Sequence, residues 1–461
     1  MEYEVQAFAN HRPIQQLIPN YYRNELKVDK ERMPKRVSRR TLPVTQNMSK
    51  PYITTKGLFN RNICLWHSHG WYYESLLDRW EWQRARLFQT VEDLYPMSFT
   101  VQYITPMLEN AGANVFMPRE RDTQTNEVIV DNITGNESYI EKADEEKYKW
   151  QTNNEKGFAV GNPPYTIGDN PFKTGSYVFT KSDKNPSASI EWIPDMPETG
   201  EYAVYISYIS NEESVDDAHY SVYHSGGITK FSVNQKMGGG TWIYLGTFHF
   251  NKGKNPDVGK VMLTNESRKR RRIVTADAVR FGGGMGNVAR NGKTSGRPRF
   301  VEGARYYLQY AGMPDTLVYD LNNNEDDYGD DYQSRGEWVS YLKGAPSGPT
   351  KNRDEKGLGI PIDLSFAFHT DAGVSFKDNI IGTLMIYSTE PDSGYFPDGM
   401  SRMASRDFSD MLQSQIVGDI RAKYDSTWTR RGLWDREYSE AYRPTVPAAL
   451  LELLSHQNFA D

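Results

Sequence analysis

The pattern of hydrophobic and polar positions changes character several times along the chain. A short apolar strand at residues 62–66 leads into a polar turn, and a helical pattern covers residues 98–110. The helix stops at Gly112, and the next apolar strand spans residues 114–117. Strand, helix and strand in this order predict an α/β domain with a mainly parallel sheet and flanking helices. Active groups are then expected just beyond the carboxyl ends of the strands.

Residues 175–282 have a different pattern of apolar and polar positions. Short segments with period-two alternation, such as residues 202–208 and 242–250, are separated by turns. This pattern predicts an all-β sandwich of one domain's size. We therefore predict an α/β catalytic domain interrupted by an inserted all-β sandwich of the jelly-roll kind.

Apolar strands return beyond Pro361, at residues 364–368, 382–387 and 448–453, and a long helix is predicted at residues 401–424. The acidic tract 322–331 is predicted to be a solvated loop. The predicted segments are an N-terminal arm (1–55), the first part of the α/β domain (56–125), a loop-rich connector (126–174), the sandwich (175–282), a linker with a helical segment (283–330), and the second part of the α/β domain (331–461).

Composition narrows the functional classes. The net charge of −6 argues against nucleic-acid binding by the whole protein, and the basic run 268–272 is predicted to be the solvated turn of a hairpin. The chain contains thirty tyrosines and ten tryptophans. Such a high aromatic content is common in proteins that bind or modify sugars, and it is also ordinary in β-sandwiches. No stretch approaches the roughly 20 apolar residues of a membrane span. Residues 1–5 lack the features of a secretion signal, so the chain is either cytoplasmic or a fragment without its leader. The end at Asp461, a few residues beyond a predicted core strand, favours a fragment, and we expect a periplasmic or extracellular protein.

Candidate chemistry lies in four short segments that are far apart, at residues 66–70, 92–94, 367–371 and 449–453. They contain the His and Glu side chains that a hydrolytic zinc site needs. A catalytic zinc takes three protein ligands and keeps one position for water. From the residues alone, His67 and His69 compete as the first ligand, and Glu74 and Glu92 compete as the carboxylate ligand.

In order and context, these segments resemble the zinc-dependent N-acetylmuramoyl-L-alanine amidases of the Amidase_3 type. The resemblance rests on six stretches: Ser68-His69-Gly70, residues 108–115, residues 118–122 with Arg119, residues 334–338, residues 368–372, and Glu452 followed by Asn458. It covers roughly residues 60–125 and 330–461. The family pattern favours His69 over His67 and Glu92 over Glu74.

The resemblance implies a peptidoglycan or muropeptide substrate, cut at the amide between N-acetylmuramic acid and L-alanine of the stem peptide. It also implies zinc held by His69, Glu92 and His369, with Glu452 handling the proton. Candidates for substrate contact or for support of the ligands are Asp371, Trp71, Arg119 and Asn458.

Three departures from the family pattern bear on this site. Trp71 replaces a glycine and places a bulky aromatic residue at the mouth of the site, and Asp371 replaces the usual asparagine. We expect Asp371 to support a histidine ring. The stretch 74–89 is longer than in simple members and is expected to form a substrate-shaping helix or lid.

The sandwich resembles the golvesin C-terminal-like domain, which occurs in secreted bacterial proteins and in chains labelled xanthan lyase. The resemblance rests on residues 218–227, 233–235, 240–247 and 274–281. We expect contact between the sandwich and envelope polysaccharide. Two alternatives to the amidase stay open: a xanthan-type polysaccharide lyase and a non-catalytic glycan-binding envelope protein. Convergence of His69, Glu92, His369 and Glu452 would favour the amidase.

Overall fold

The computed structural model describes residues 5–9, 11–24, 27–34, 42–52, 54–86, 90–133, 137–346, 352–375 and 377–461. Parts of the predicted arm, and residues 87–89 of the predicted helix or lid, lie outside these ranges. Within them, none of the helices has the length and apolar character needed to cross a bilayer.

A six-stranded central sheet forms the α/β unit. Its strands, in spatial order, are Arg430–Asp435, Thr383–Tyr387, Ala448–Ser455, Leu364–Asp371, Asn62–His67 and Asn114–Phe116. Four neighbouring pairs are parallel, and the pair of Thr383–Tyr387 with Ala448–Ser455 is antiparallel. The sheet is therefore mainly parallel, as predicted.

Helices cover both faces of the central sheet. The α-helices of the described chain are Tyr95–Phe99, Thr105–Asn110, Ala304–Tyr310, Asp327–Lys343, Met403–Lys423 and Ser439–Tyr442. The π-helical turn Thr100–Ile104 joins the first two. On one face, Leu65 packs on the segment 95–110 and Phe368 on the helix Met403–Lys423. On the other face, Trp66 packs on the helix Asp327–Lys343, which joins this face to the main hydrophobic core.

Three antiparallel sheets build the sandwich. The six-stranded sheet runs Thr45–Asn47, Gly227–Val233, Ala218–His224, Lys260–Thr264, Ala188–Trp192, Tyr139–Ala143. The four-stranded sheet runs Ile243–Phe250, Gly200–Ile206, Val279–Phe281, Val128–Val130, and the three-stranded sheet runs Gln151–Gly157, Gly175–Lys181, Ile273–Ala276. Large side chains from facing strands, among them Trp192, Tyr220 and Phe281, fill its core. The prediction of an all-β sandwich is confirmed.

The sandwich recruits strands from outside the predicted 175–282. Three strands come from the segment predicted to be a connector, and Thr45–Asn47 comes from the predicted arm. These strands lie at or near sheet edges, and Tyr139–Ala143 and Gln151–Gly157 are mostly exposed. An exposed edge strand needs no apolar alternation, so its sequence resembled a loop.

The acidic tract 322–331 is not the predicted solvated loop along its whole length. From Asp327 onward it forms the first turns of a helix, with Asp326 capping the N-terminus. Asp327, Asp330 and Asp331 are fully buried and form ion pairs with arginines, such as Arg305 with Asp327 at 3.3 Å. Buried carboxylates require such partners, and nothing in the local sequence identifies them.

The basic run 268–272 is a loop, but it does not turn a hairpin. The flanking strands Lys260–Thr264 and Ile273–Ala276 belong to different sheets. Arg268 pairs with Asp217 at 2.8 Å and Arg270 with Asp183 at 2.9 Å, so nearby carboxylates offset the positive charge.

The described part of the stretch 74–89 is not the helix that was expected. Strands Trp71–Glu74 and Arg79–Trp82 form a hairpin, which we call the aromatic hairpin. The rings of Trp71 and Trp82 pack edge to face at 4.9 Å, and the guanidinium of Arg297 lies over Trp71 at 4.8 Å. Trp71 is therefore committed to the hairpin instead of standing free at the mouth of a site.

Candidate metal centre

The end of the strand Asn62–His67 positions the first histidine. Ser68 follows in the left-handed region with φ of 43°, and its backbone N–H donates to the carbonyl of Phe368 at 2.8 Å. A side chain at Gly70 would bring Cβ within 2.5 Å of the backbone nitrogen of Gly303. Only glycine allows this close approach, which turns the chain and leaves His69 buried beyond the strand end.

Two further candidates lie on adjacent parallel strands. His369 pairs with Glu452 in the register of Leu364–Asp371 with Ala448–Ser455. Paired positions point to the same face of a sheet, so both side chains lie on one face near the carboxyl ends of their strands. Glu92, which is 2% exposed, precedes the helical segment 95–110.

The structure brings together His69, Glu92 and His369, whose ligand atoms all lie within 4.8 Å of one another. Nδ1 of His369 is 3.1 Å from Oε1 of Glu92, and Nε2 of His69 is 3.9 Å from the same oxygen. All three residues are buried. Two imidazoles and one carboxylate around a common point are the donor set of a catalytic zinc site.

Glu92 is held by several groups. Its Oε1 accepts a hydrogen bond from Oγ of Ser68 at 2.7 Å, and its Oε2 lies 3.3 Å from Nε of Arg84. Burial raises the pKa of Glu92, but the hydrogen bond and charge of His369, the Ser68 hydrogen bond and the Arg84 charge outweigh it, so the pKa lies below its ordinary value. Glu92 is therefore ionised, as a metal ligand must be.

Glu440, on the short helix Ser439–Tyr442, is a site residue that sequence reasoning missed. Its carboxylate contacts Nε2 of His369 at 3.0 Å and NH1 of Arg335 at 2.9 Å, and the indole N–H of Trp66 donates to it. A helix of four residues has no periodic signal, and none of the stretches that carry the amidase resemblance includes this position. Only the folded chain brings Glu440 to the site.

The contact with Glu440 orients the ring of His369. Nδ1 faces Glu92, and Nε2 faces Glu440, so one nitrogen lies toward the candidate metal position while the other is held by a carboxylate. Metal-binding histidines commonly have such a partner. Without a metal, burial lowers the pKa of His369, but the Glu440 charge and the hydrogen bonds of Glu440 and Glu92 raise it to about 10.

His69, in contrast to His369, is neutral. Burial, followed by the positive charges of Arg335 and Arg84, lowers the pKa of His69 well below its ordinary value. NH2 of Arg335 lies 3.3 Å from Nδ1 of His69, and because arginine only donates, Nδ1 accepts. The ring then carries its proton on Nε2, and a metal ion bound through Nε2 would displace that proton.

Glu452 has the properties of a proton-transfer group. Its Oε2 is enclosed and has no hydrogen-bond partner among the described residues. Burial raises the pKa of Glu452 to about 8; the positive charge of His369 opposes this rise, and the carboxylates Glu92, Asp371 and Glu440 add to it. A carboxyl with a pKa near neutrality can both accept and deliver a proton.

The competing ligand candidates lie outside this cluster. The alternation of the strand Asn62–His67 places His67 on the face of Ile63 and Leu65. His67 is fully buried, and within the described chain its ring nitrogens have no hydrogen-bond partner. Glu74, at the end of the first hairpin strand, accepts from the hydroxyl of Tyr72 at 2.6 Å.

The other predicted residues have separate partners. Asp371 forms an ion pair with Arg431 and does not support a histidine ring; Glu440 does so. Arg119 is 1% exposed and donates to backbone carbonyls, including that of His67 at 2.7 Å, so it braces the strand end and is closed to substrate. Asn458 donates to the carbonyl of Asn379 at 2.9 Å.

A cavity of about 500 Å³ reaches His69 and Glu440. Its lining comes from the helix Asp327–Lys343, from the segment 437–443 and from Arg84. Tyr328, Tyr332, Tyr438 and Tyr442 are among the lining residues. We call this cavity the tyrosine groove. It gives a substrate a path to the candidate metal centre.

Comparison with known proteins identifies the sandwich. Residues 164–283 match the Golvesin C-terminal domain. A xanthan lyase of Bacillus sp. (strain GL1) is 30% identical over 107 residues, which are 23% of this chain and 11% of that protein. The chain thus spans about a tenth of the curated relative that it matches. The golvesin-type resemblance of the sandwich is confirmed, while the amidase resemblance of the α/β unit stays a prediction.

Solved structures give partial matches. The xanthan lyase from Paenibacillus is 25% identical with a TM-score of 0.27, covering 34% of this chain and 13% of that chain. A family 35 carbohydrate-binding module from Clostridium thermocellum is 17% identical with a TM-score of 0.22, covering 34% of this chain and 98% of that module.

Proposed function

We propose that this protein is a zinc-dependent N-acetylmuramoyl-L-alanine amidase that acts on peptidoglycan in the periplasm or outside the cell. The observation that carries the proposal is the convergence of His69, Glu92 and His369 within 4.8 Å of one another. His69 and His369 lie at or just beyond the carboxyl ends of parallel strands, which agrees with the general location of sites in α/β sheets. Oε2 of Glu452 is buried and has no hydrogen-bond partner in the described part of the chain, so this carboxyl is the candidate for the proton-transfer group that such a reaction needs.

The residues of the site have separate roles in metal binding, proton transfer and orientation of a ligand. His69, Glu92 and His369 would hold the zinc, which when bound acts as a Lewis acid and lowers the pKa of a coordinated water. Glu452 accepts a proton from the attacking water and delivers it to the departing amine of L-alanine. Glu440 keeps Nδ1 of His369 directed at the candidate metal position. Burial of these groups restricts the access of bulk water and strengthens their interactions.

The sandwich supports a function connected with polysaccharide. The sandwich matches the Golvesin C-terminal domain, and the chain is 30% identical over 107 residues to a xanthan lyase, of which these residues are 11%. We propose that the sandwich contacts envelope glycan and holds the α/β unit near its substrate.

A polysaccharide lyase of the xanthan type is the second candidate, favoured by the 30% identity to xanthan lyase. A lyase removes a proton next to a uronate and leaves an unsaturated sugar product. It has no requirement for two histidines and Glu92 around a common point. The products therefore distinguish the two reactions.

The test is metal analysis of the purified full chain with digestion of peptidoglycan and of xanthan. We expect about one zinc per chain, and release of new L-alanine amino termini that is lost after chelation and in Glu452→Gln. Glu325→Gln is the control, because Glu325 is an exposed carboxylate outside the groove. Unsaturated sugar products from xanthan would support the lyase instead. Binding of glycan without either product would indicate a non-catalytic protein.

A further inference from the structure

The lining of the tyrosine groove suits the sugar part of a substrate better than the peptide part. Two of its four tyrosines, Tyr328 and Tyr332, come from one helix and pack edge to face at 5.7 Å. The other two, Tyr438 and Tyr442, come from the segment that also carries Glu440. Aromatic side chains that lie beside polar groups are suited to ligand rings with an apolar face and a polar edge.

The groove also offers free hydroxyl groups. In the part of the chain that the structure describes, the hydroxyls of Tyr332, Tyr438 and Tyr442 have no hydrogen-bond partner. Tyr438 is 46% exposed, and Tyr332 and Tyr442 are half-buried. A phenol hydroxyl both donates and accepts, as a sugar hydroxyl does. The lining can therefore satisfy several hydroxyls of one sugar ring.

The positive groups of the groove are already committed. Arg84 lies 3.3 Å from Glu92 and donates to the hydroxyl of Tyr328 at 2.7 Å. Arg443 pairs with Glu337 at 2.5 Å and also donates to Gln333. Neither arginine is available for the carboxylates of a stem peptide without losing a present partner. The groove also holds the exposed carboxylate of Glu437, which would repel the carboxylates of a stem peptide. What remains for a neutral ligand is a set of hydroxyls and aromatic faces.

We propose that the tyrosine groove is the sugar subsite of this enzyme, with Tyr332 and Tyr438 as its specificity-determining residues. The proposal rests on the proposed function, because the groove leads to the candidate metal centre. A sugar ring in the groove would present the amide at His69, with the stem peptide directed away from the tyrosines. The protein then requires a sugar on the acyl side of the amide and discriminates against free peptides.

Binding to the metal-free full chain tests this subsite without depending on hydrolysis. The two probes, measured by calorimetry in the presence of a chelator, are a disaccharide of N-acetylglucosamine and N-acetylmuramic acid that carries a stem peptide, and the same peptide with an N-terminal lactoyl group but no sugar. We expect wild type to bind the first probe at least about tenfold more tightly. Tyr332→Ala and Tyr438→Ala should each weaken its binding by about tenfold, as loss of an aromatic contact predicts.

Matched variants make the result specific. Tyr332→Phe keeps the ring and removes the hydroxyl, so we expect an intermediate loss. Tyr424→Ala, at an 85% exposed tyrosine outside the groove, should bind like wild type. Tyr438→Ala changes an exposed residue and keeps the test decisive if Tyr332→Ala does not fold. Equal binding of both probes, no binding of either, or groove variants that bind like wild type would overturn the proposal. Absence of hydrolysis by the zinc-loaded protein would overturn the proposed function alone.

Discussion

His369 and Glu452 occupy paired positions on the adjacent parallel strands Leu364–Asp371 and Ala448–Ser455. The pairing brings a candidate metal ligand and a candidate proton-transfer group to the same face of the central sheet. The positive charge of His369 lowers the pKa of Glu452, but burial prevails and holds it at about 8. Because only His369 is a candidate ligand, we expect substitution of Glu452 to change catalysis without changing metal binding.

Replacing Glu452 should remove catalysis and spare metal binding. Glu452→Gln retains the shape of the side chain but cannot take a proton, so we expect kcat to fall by about 10²- to 10⁴-fold. The zinc content, measured by mass spectrometry of the purified protein, should remain that of wild type. Loss of zinc together with activity would mean that Glu452 is itself a ligand.

Glu440 should act through the orientation of His369. Glu440→Gln removes the negative charge at Nε2 of His369 and weakens the contact that fixes the ring. Loss of such a partner lowers metal affinity by about 10- to 100-fold. A competition titration with a chromophoric chelator measures this affinity, and Glu437→Gln is the control. Unchanged affinity would contradict a role of Glu440 in orienting the ring.

Glu302 predicts a pH dependence of stability. Burial raises its pKa to about 7, against opposing effects of Ser295 and Arg299. The folded chain therefore holds this proton at pH values where the unfolded chain, with a pKa near 4.5, has lost it. Stability is lost as pH rises from about 4.5 to about 7, by at most about 3 kcal/mol.

Glu302→Gln should remove this loss. In thermal unfolding of the metal-free protein, the variant should gain stability over wild type as pH rises through this window, and keep the gain above it. Glu325→Gln, at an exposed acidic position, should show no such trend. A difference that is constant from pH 4 to pH 8 would contradict the assignment.

Asp327 should be a strong determinant of stability. Its carboxylate is fully buried, lies 2.7 Å from NH2 of Arg290 and 3.3 Å from NH1 of Arg305, and accepts from Tyr306 at 2.7 Å. Asp327→Asn leaves two buried guanidinium groups short of a negative charge, at a cost of about 3–5 kcal/mol. Chemical denaturation measures this loss. Glu325→Gln should change stability by less than about 0.5 kcal/mol.

The sequence by itself determined the elements with strong local signals. The apolar run 62–66, the glycine stop at Gly112 and the periodic helix at 401–424 predicted elements that the structure contains. Alternation of apolar and polar residues also predicted a sandwich. This pattern lies within each strand, so it can be recognised without knowing which strands pair. The order and context of short motifs indicated His69, Glu92, His369 and Glu452 as candidates.

Tertiary structure alone decided which of these groups meet. It assembled His69, Glu92 and His369, and it paired Asp371 with Arg431 instead of a histidine. It also brought Glu440 from an unremarkable four-residue helix and buried Asp327 among arginines. The physical reason is that the identity of a charged residue in the sequence does not show whether the folded chain leaves it solvated or buries it. Its partners come from distant segments, so only the packing of the whole chain sets its role.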